Sequence, residues 1–357
     1  MAQQHLDPPT DPTAGPVTSD ALAGYLRAQA TEFLRSLRQH RETGAGDGGP
    51  PGRAKSRLGE SGSAESVSAA RALRRSARRI SGSLHTFRPL LDADWSEGMR
   101  PELAWLSGTL AREHAYGARL ERLLGALNRL SGSATLPSQA SGANAHPAPK
   151  GNLTVGAAKA GALLDRQLTL ARTRAHSAAL QALGSSRFHA VADSVAVLAS
   201  EVPLTPAAPA TDLRPLAAAA ADRLTDAVAA LPLVTAGHPY NAQALVHGLS
   251  ADTAPQPQDA PWHQVRLLLR LHRYARELMY GDECPTDVRL LAAGQALNRH
   301  RDAAEAASAA ASAARTPRIA PATAYALGVL HADQRHEVEA ARFAFQQAWQ
   351  KEAVRTL

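Results

Sequence analysis

Apolar residues recur every three to four positions along most of this chain, and this spacing predicts amphipathic α-helices. Segments rich in Gly, Pro, Ser or Ala interrupt the pattern and predict loops between the helices. The predicted helices cover residues 25–40, 66–91, 97–130, 155–183, 212–230, 262–280, 287–304 and 321–352. The predicted loops cover residues 42–64, 131–150, 203–211, 251–261 and 306–317.

The Pro-rich segment 203–211 lies a little past the midpoint of the 357-residue chain. Its prolines interrupt helical hydrogen bonding, so the segment is predicted to be a linker between two helical bundles. The predicted organisation is a disordered, polar N-terminal tail over 1–17, a first bundle over 18–202, the linker over 203–211, and a second bundle over 212–357.

Composition supports an all-α fold class. Hydrophobic residues make up 45% of the chain but aromatic residues only 4%, which favours packing of helix on helix over an aromatic-rich β-sandwich. The single cysteine, Cys284, excludes an intrachain disulfide and any CxxC motif. The chain has neither a signal-peptide pattern nor 18 consecutive apolar residues, so we expect a soluble cytoplasmic protein that does not contact membranes.

The charge balance points to a polyanionic partner. The chain has 39 basic and 32 acidic residues, a net charge of +7, and only four of the basic residues are lysines. Arginine presents phosphate with a planar, permanently charged fork, so an arginine-rich surface suits phosphate groups. Codon bias in a GC-rich genome is an alternative explanation of the composition, and the positions of the arginines must decide between the two.

Segment 66–91 contains six arginines and no acid. At about 100° per residue, Arg71, Arg74, Arg75, Arg78 and His85 fall within about 100° of one another on one side of the helix. The other side carries an apolar stripe that includes Leu73, Ile80 and Leu84. Like charges at this spacing repel each other, so an anionic ligand is the expected counter-charge. The basic residues of this segment are Arg71, Arg74, Arg75, Arg78, Arg79, His85 and Arg88.

Segment 262–280 carries a second basic stripe, formed by His263, Arg266, Arg270 and Arg273. Its spacing repeats that of residues 71, 74, 78 and 81 after a shift of 192 residues. A shift slightly over half the chain length indicates an internal duplication with loops of unequal length.

Several short sequences, in this order, resemble the CHAD family, the conserved histidine α-helical domain. They are AGYLRAQ at 23–29, LHTFRPLLD at 84–92, ELAWL at 102–106, WHQVR at 262–266, RYAREL at 273–278 and ALGVL at 326–330. The resemblance extends from about residue 19 to residue 352.

The resemblance implies two pseudo-symmetric four-helix bundles whose basic helices line a shared central groove or pore. It also implies binding of inorganic polyphosphate and association with polyphosphate granules, and it makes polyphosphate-metabolising enzymes candidate partners. The expected polyphosphate-binding residues are Arg71, Arg74, Arg75, Arg78, Arg79, His85, His263, Arg266, Arg270 and Arg273.

The chain departs from the family pattern at identifiable positions. The first basic helix of the family usually carries Val-His-x-x-Arg, whereas this chain has Ala70, Arg71 and Arg74 at the matching positions. Further departures are Ser81 in place of an arginine, His114-Ala115 in place of Arg-Asp, and Leu271 in place of a basic residue. Loss of a histidine with retention of a cation suits binding more than proton transfer.

Motifs that carry enzyme chemistry are weak in this sequence. It has no GxxxxGK[ST] loop, and Cys284 has no neighbouring residue that marks it as a nucleophile. Asp92 and Asp94 are interpreted as a helix cap, His331 and His336 as surface histidines, and the tryptophans at 105, 262 and 349 as core or interface anchors. We therefore expect a non-catalytic protein with no cofactor and no metal site.

Two other functions remain open at this point. The basic face would also suit the backbone of DNA or RNA, although the low aromatic content leaves little for base stacking. It would equally suit an acidic protein partner of a helical interaction scaffold.

Overall fold

The computed structural model describes residues 17–45, 55–132, 152–238, 249 and 257–350. All but the last residue of the predicted tail over 1–17, and most of the predicted loop at 131–150, lie outside these residues. Within them the chain is helical, apart from turns, loops and one isolated β-bridge between Leu91 and Leu204. The all-α class is therefore confirmed.

The α-helices are, in chain order, α1 (Ser19–Ala45), α2 (Lys55–Thr86), α3 (Ala93–Leu130), α4 (Asn152–Leu183), α5 (Ser186–Ser200), α6 (Arg214–Ala229), α7 (Leu233–Ala236), α8 (Ala260–Tyr280), α9 (Val288–Ala314) and α10 (Pro321–Gln350). Helix α5 was not predicted. Both loop predictions at 42–64 and 306–317 were too long, because α1, α2 and α9 extend into these segments.

The alanine-rich end of α9 shows why the second of these predictions failed. Alanine has the highest helix propensity, and its small side chain lets two helices approach closely. In the structure Ala306 and Ala310 are fully buried in an apolar cluster with Leu164 of α4 and Leu330 of α10. A run of small residues therefore forms a packing surface here rather than a loop.

The chain divides into two compact units that each draw on three segments. Unit 1 comprises the described residues within 1–104, 190–222 and 271–284, and unit 2 comprises those within 105–189, 223–270 and 285–357. The predicted linker, 203–211, is non-helical except for a short 3-10 helix at Ala208–Ala210, and it belongs to the second segment of unit 1. The predicted bundle boundaries and the pseudo-symmetry stay predictions.

In unit 1, helices α1 and α2 pack against each other. Leu26 and Phe33 of α1 and Leu73 and Ile80 of α2 are fully buried, as the amphipathic pattern predicts. Two backbone hydrogen bonds join the segment after α5 to the residues between α2 and α3. Asp92 N donates to Pro203 O and Thr205 N donates to Leu90 O, each at 2.9 Å.

In unit 2, α9 packs along α10, which also contacts α4. Gly156 of α4 makes this contact possible, because a Cβ at this position would lie 2.2 Å from the carbonyl oxygen of Ala322 in α10. Only glycine fits so close an approach between two backbones.

Candidate anion-binding site

The apolar stripe of α2 is buried, and this burial orients the basic side of the helix. Leu73, Ile80 and Leu84 are fully buried, whereas Arg71, Arg75 and His85 are exposed. The other three predicted site residues of this helix, Arg74, Arg78 and Arg79, are half-buried. The division into an apolar and a basic side, which the helical spacing predicts, is therefore present in unit 1.

Arg78 has a donor aimed at no acceptor. Its Nε atom is buried and has no hydrogen-bond partner within the part of the chain that the structure describes. A buried donor without an acceptor is costly, so an anion that reaches Arg78 would gain a hydrogen bond at little desolvation cost.

Arg79, the next residue, is bound by a carboxylate of helix α8. Its Nε donates to Glu277 Oε2 at 2.7 Å and its Nη2 to Glu277 Oε1 at 3.2 Å, which forms a bidentate pair. Burial alone would lower the pKa of Arg79, but the hydrogen bond and the negative charge of Glu277 together raise it. The acid-free segment 66–91 thus receives one counter-charge from elsewhere in unit 1.

Glu277 has two further partners. The hydroxyl of Tyr25 donates to Glu277 Oε2 at 3.3 Å, and Arg273 Nε lies 3.5 Å from Glu277 Oε1. Burial, and secondarily the charge of Glu277, raise the pKa of Tyr25, so this hydroxyl stays a donor. The structure therefore brings together two predicted site residues, Arg79 and Arg273, on one internal carboxylate.

Close packing of α2 against the end of α8 holds this arrangement in place. A Cβ at Gly82 would lie 2.7 Å from Cδ2 of Tyr274, and the guanidinium carbons of Arg79 and Arg273 lie 5.7 and 5.9 Å from the centre of the Tyr274 ring. Tyr274 itself is buried. The glycine thus admits a tyrosine on which both arginines pack.

In unit 2, the start of α8 places His263, Arg266 and Arg270 on one side, all of them half-buried. Arg266 is the most unusual, since both its Nε and Nη1 are buried and lack a hydrogen-bond partner among the described residues. Burial, and then the positive charges of Arg270 and Arg301, lower the pKa of Arg266 to about 10.

Arg301 of α9 adds a cation that the sequence analysis missed. It lowers the pKa of both His263 and Arg266, which shows that its charge acts on the start of α8. Arg301 Nε donates to Asp302 Oδ1 at 3.0 Å and lies 3.8 Å from Glu305 Oε1. In the sequence Arg301 is followed by Asp302 and by Glu305. Such mixed charges are typical of a solvated helix face, so the sequence does not mark Arg301 as a binding residue.

A buried polar network anchors the start of α8. Asp259 accepts hydrogen bonds from Arg335 Nη1 at 2.8 Å and from Arg342 Nη2 at 2.6 Å. Burial opposes the charged carboxylate, but the hydrogen bonds and the positive charge of Arg335 hold the pKa of Asp259 well below its usual range. The tryptophan next along, Trp262, is 1% exposed and packs on Arg342, which confirms its interpretation as a core anchor.

His300 lies in this network as a neutral imidazole. Burial, and then the charge of Arg342, lower the pKa of His300 to about 4. Its Nε2 accepts a hydrogen bond from Arg342 Nε at 3.3 Å, which requires an unprotonated nitrogen there. The ring of His300 stacks on Trp262 with 5.7 Å between centroids.

Residues that the sequence analysis considered for chemistry have structural roles. Asp92 caps α3, because its Oδ1 accepts from the backbone nitrogen of Trp95 at 2.8 Å. His331 is buried and bonds through Nδ1 to the carbonyl of Ala307 at 3.0 Å, so its interpretation as a surface histidine was wrong. Within the described ranges, no three His, Cys, Asp or Glu residues are grouped as a metal site would require.

No helix within the described residues combines the length with the apolar character that a membrane span requires.

Comparisons with known proteins agree with this description. A sequence model of the CHAD domain matches residues 57–293. Among solved structures, PptA from Streptomyces chartreusis is similar, with 71% sequence identity and a TM-score of 0.75 over 94% of this chain and 100% of PptA. A search of curated proteins found no match.

Proposed function

Because the chain belongs to the CHAD domain family, we propose that it binds inorganic polyphosphate without altering it chemically. The binding surfaces are the arginine-bearing sides of α2 and of α8. In this proposal α2 contributes Arg71, Arg74, Arg75, Arg78 and His85, and α8 contributes His263, Arg266 and Arg270.

The environment of the Arg266 side chain is the main support for this proposal. The Nε and Nη1 atoms of its guanidinium are buried without an acceptor among the described residues, so the cost of their desolvation is not offset by hydrogen bonds. The neighbouring charges of Arg270 and Arg301 increase that cost. Phosphate oxygens bound here would accept from these donors and would offset the cluster of positive charge.

A linear polymer of phosphates suits the arrangement better than a single phosphate. Cations recur along α2 at every turn from Arg71 to Arg78, over about 10 Å at a rise of 1.5 Å per residue. Each arginine can give two parallel hydrogen bonds to non-bridging oxygens, and each neutralised phosphate releases condensed counterions. Both effects add up along a chain of phosphates.

Nucleic acid is the second candidate, since its backbone presents the same oxygens. Sequence-tolerant binding of single strands depends on aromatic side chains that stack on bases. Trp262 is buried, and Trp349 and Trp105 are covered by Arg289 and Arg187 at 4.9 and 4.2 Å from their rings. Because these tryptophans are buried or covered, they favour a protein that binds phosphate groups over one that binds nucleic acid by stacking on its bases.

Association with polyphosphate granules and with enzymes that make or degrade the polymer follows from the same proposal. A non-catalytic protein with such a surface would hold the polymer for those enzymes. A helical scaffold for an acidic protein partner would use the same arginines, and it would bind polyphosphate weakly.

The test measures binding of long-chain polyphosphate in the presence of excess duplex DNA, with wild-type protein, Arg266→Gln and Arg299→Gln. Arg299 is exposed on α9 of the same unit, so its substitution is a matched control for loss of one charge. We expect Arg266→Gln to weaken binding roughly ten- to a hundredfold, since a hydrogen bond to a charged group contributes about 1.5–3 kcal/mol.

Arg299→Gln should leave the affinity within about twofold, as expected for an exposed charge. Equal effects of both substitutions would show that only net charge matters and would contradict a site at Arg266. If excess duplex DNA displaces polyphosphate from the wild-type protein, the result would favour the nucleic-acid function.

A further inference from the structure

We propose that Glu277 is an internal counter-ion that withdraws Arg79 from the polyphosphate-binding surface and partly neutralises Arg273, whose side chain is 50% exposed. In unit 1 the polymer is then bound by the side of α2 that carries Arg78, while Arg79 anchors α2 to α8. This inference rests on the proposed function and determines which arginines carry it out.

The geometry of the Arg79–Glu277 pair matches that of a phosphate contact. Both carboxylate oxygens accept, at 2.7 Å from Nε and 3.2 Å from Nη2, which is the fork-to-fork arrangement that a phosphate would otherwise use. The side chains are 19% and 25% exposed, so the pair is largely shielded from salt. Glu277 thus occupies the donors of Arg79 that would face a polymer.

Glu277 is also held from other sides. Tyr25 of α1 donates to Oε2 at 3.3 Å, and Arg273, one turn earlier on α8, lies 3.5 Å from Oε1. A phosphate that displaced Glu277 would leave a partly buried carboxylate without its main partner, and such displacement is costly. The internal carboxylate is therefore a stronger competitor than an exposed acid would be.

Arg78 and Arg79 differ in their hydrogen-bond partners although they are neighbours in the sequence. Arg78 and Arg79 are adjacent and carry the same charge, but they point about 100° apart on the helix. Arg79 has two acceptors in Glu277, while Arg78 Nε is buried and lacks one within the described ranges. The two neighbours therefore have opposite roles.

On α8 itself, Glu277 lies on the side that carries the basic stripe. At about 100° per residue it falls about 40° from His263, inside the arc that the four basic residues span. An acid in the same helix thus offsets part of the positive charge at the end of this stripe. A count of basic residues along α8 overstates the cations available to a polymer.

The first experiment compares Arg78→Gln with Arg79→Gln in the full-length protein, with long-chain polyphosphate as the ligand. Both substitutions remove one positive charge at adjacent positions. We expect Arg78→Gln to raise the Kd about tenfold at an unchanged melting temperature. We expect Arg79→Gln to leave the Kd within about twofold and to lower the melting temperature, because the anchor to α8 is lost.

The second experiment uses Glu277→Gln, which keeps the shape of the side chain and removes its charge. Released from the carboxylate, Arg79 and Arg273 become available, and polyphosphate should bind several-fold more tightly. Glu283→Gln is the control, since it removes an exposed acid of the same unit without releasing an arginine. If Arg79→Gln fails to fold, this second comparison alone decides.

The outcomes separate this inference from the proposed function. Equal losses of affinity in Arg78→Gln and Arg79→Gln, or a folded Glu277→Gln that binds no more tightly than Glu283→Gln, would overturn the role of Glu277 while polyphosphate binding stands. A wild-type protein that does not bind polyphosphate would instead overturn the proposed function and with it this inference.

Discussion

The ring of His263 lies edge-on to the ring of His300, with 5.4 Å between centroids and 72° between planes. His300 is 1% exposed, whereas His263 is half-buried on the basic side of α8. The two histidines thus connect the buried network around Asp259 with the proposed binding surface, and their charge states respond to pH in different ways.

Binding of polyphosphate should tighten only on the acid side of neutrality. Burial lowers the pKa of His263 below its ordinary 6.5, and Asp259 only partly offsets this effect. Protonation adds a positive charge next to Arg266 and favours an anion, so the Kd should change little between pH 7.5 and 6.5 and fall below that range. Titration of the Kd from pH 7.5 to 5.5 checks this expectation.

His263→Gln is the control for that titration. We expect the substituted protein to lose much of the tightening at acid pH while its Kd at pH 7.5 stays close to that of the wild type. An identical pH profile in the two proteins would exclude His263 as the responsible group and would direct attention to His85.

The free energy of unfolding should fall as the pH falls from 6.5 towards 4. The pKa of His300 is about 4 in the folded protein and near 6.5 in an unfolded chain, so the unfolded state binds the proton first. Above pH 6.5 His300 does not reduce the free energy of unfolding. Between pH 6.5 and pH 4, preferential protonation of His300 in the unfolded state lowers the free energy of unfolding by roughly 3 kcal/mol.

Urea denaturation at pH 7 and pH 4.5 measures this loss. His300→Gln cannot take up the proton, so it should be less stable than the wild type at pH 7 but should lose less of its stability on acidification. Equal losses in both proteins would contradict a titrating His300.

Substitution of Gly156 by alanine should destabilise the protein strongly. The added Cβ would lie 2.2 Å from a backbone oxygen of α10, so the two helices must separate, and overpacking of this kind costs about 1–3 kcal/mol or more. Gly125→Ala is the matched control, because nothing lies within 4 Å of its Cβ and alanine is the better helix former. Thermal melts should therefore shift down for the first variant and not for the second.

Salt should weaken polyphosphate binding steeply. If six to eight phosphates are engaged, the relation for single strands gives a slope of about −4 to −6 for log K against log salt concentration. Arg78→Gln should make this slope shallower by the amount that one phosphate contact contributes. Arg79→Gln should leave the slope unchanged, because Glu277 already occupies Arg79 in the free protein. A shallow slope in the wild type would exclude counterion release as the main source of affinity.

Much of the helical framework and one side of the candidate site could be predicted from sequence. The positions of Arg71, Arg75 and His85 on an exposed side of α2 follow from helical spacing alone, because the apolar residues opposite must be buried. The length of α9 was underestimated, because its alanines show no amphipathic contrast and their role depends on the helix packed against them. Arg301 was missed because its neighbouring acids mask it in the sequence.

The sequence by itself determined the helical class, the family, and the two helices that carry arginine, since local periodicity and composition encode these properties. Only the tertiary structure decided which arginines are available to a ligand. Arg79 and Glu277 are 198 residues apart, and a helical repeat specifies the direction of a side chain but not the partner that it meets. Folding brings that carboxylate to Arg79 and leaves Arg78 Nε beside it with no acceptor in the described structure.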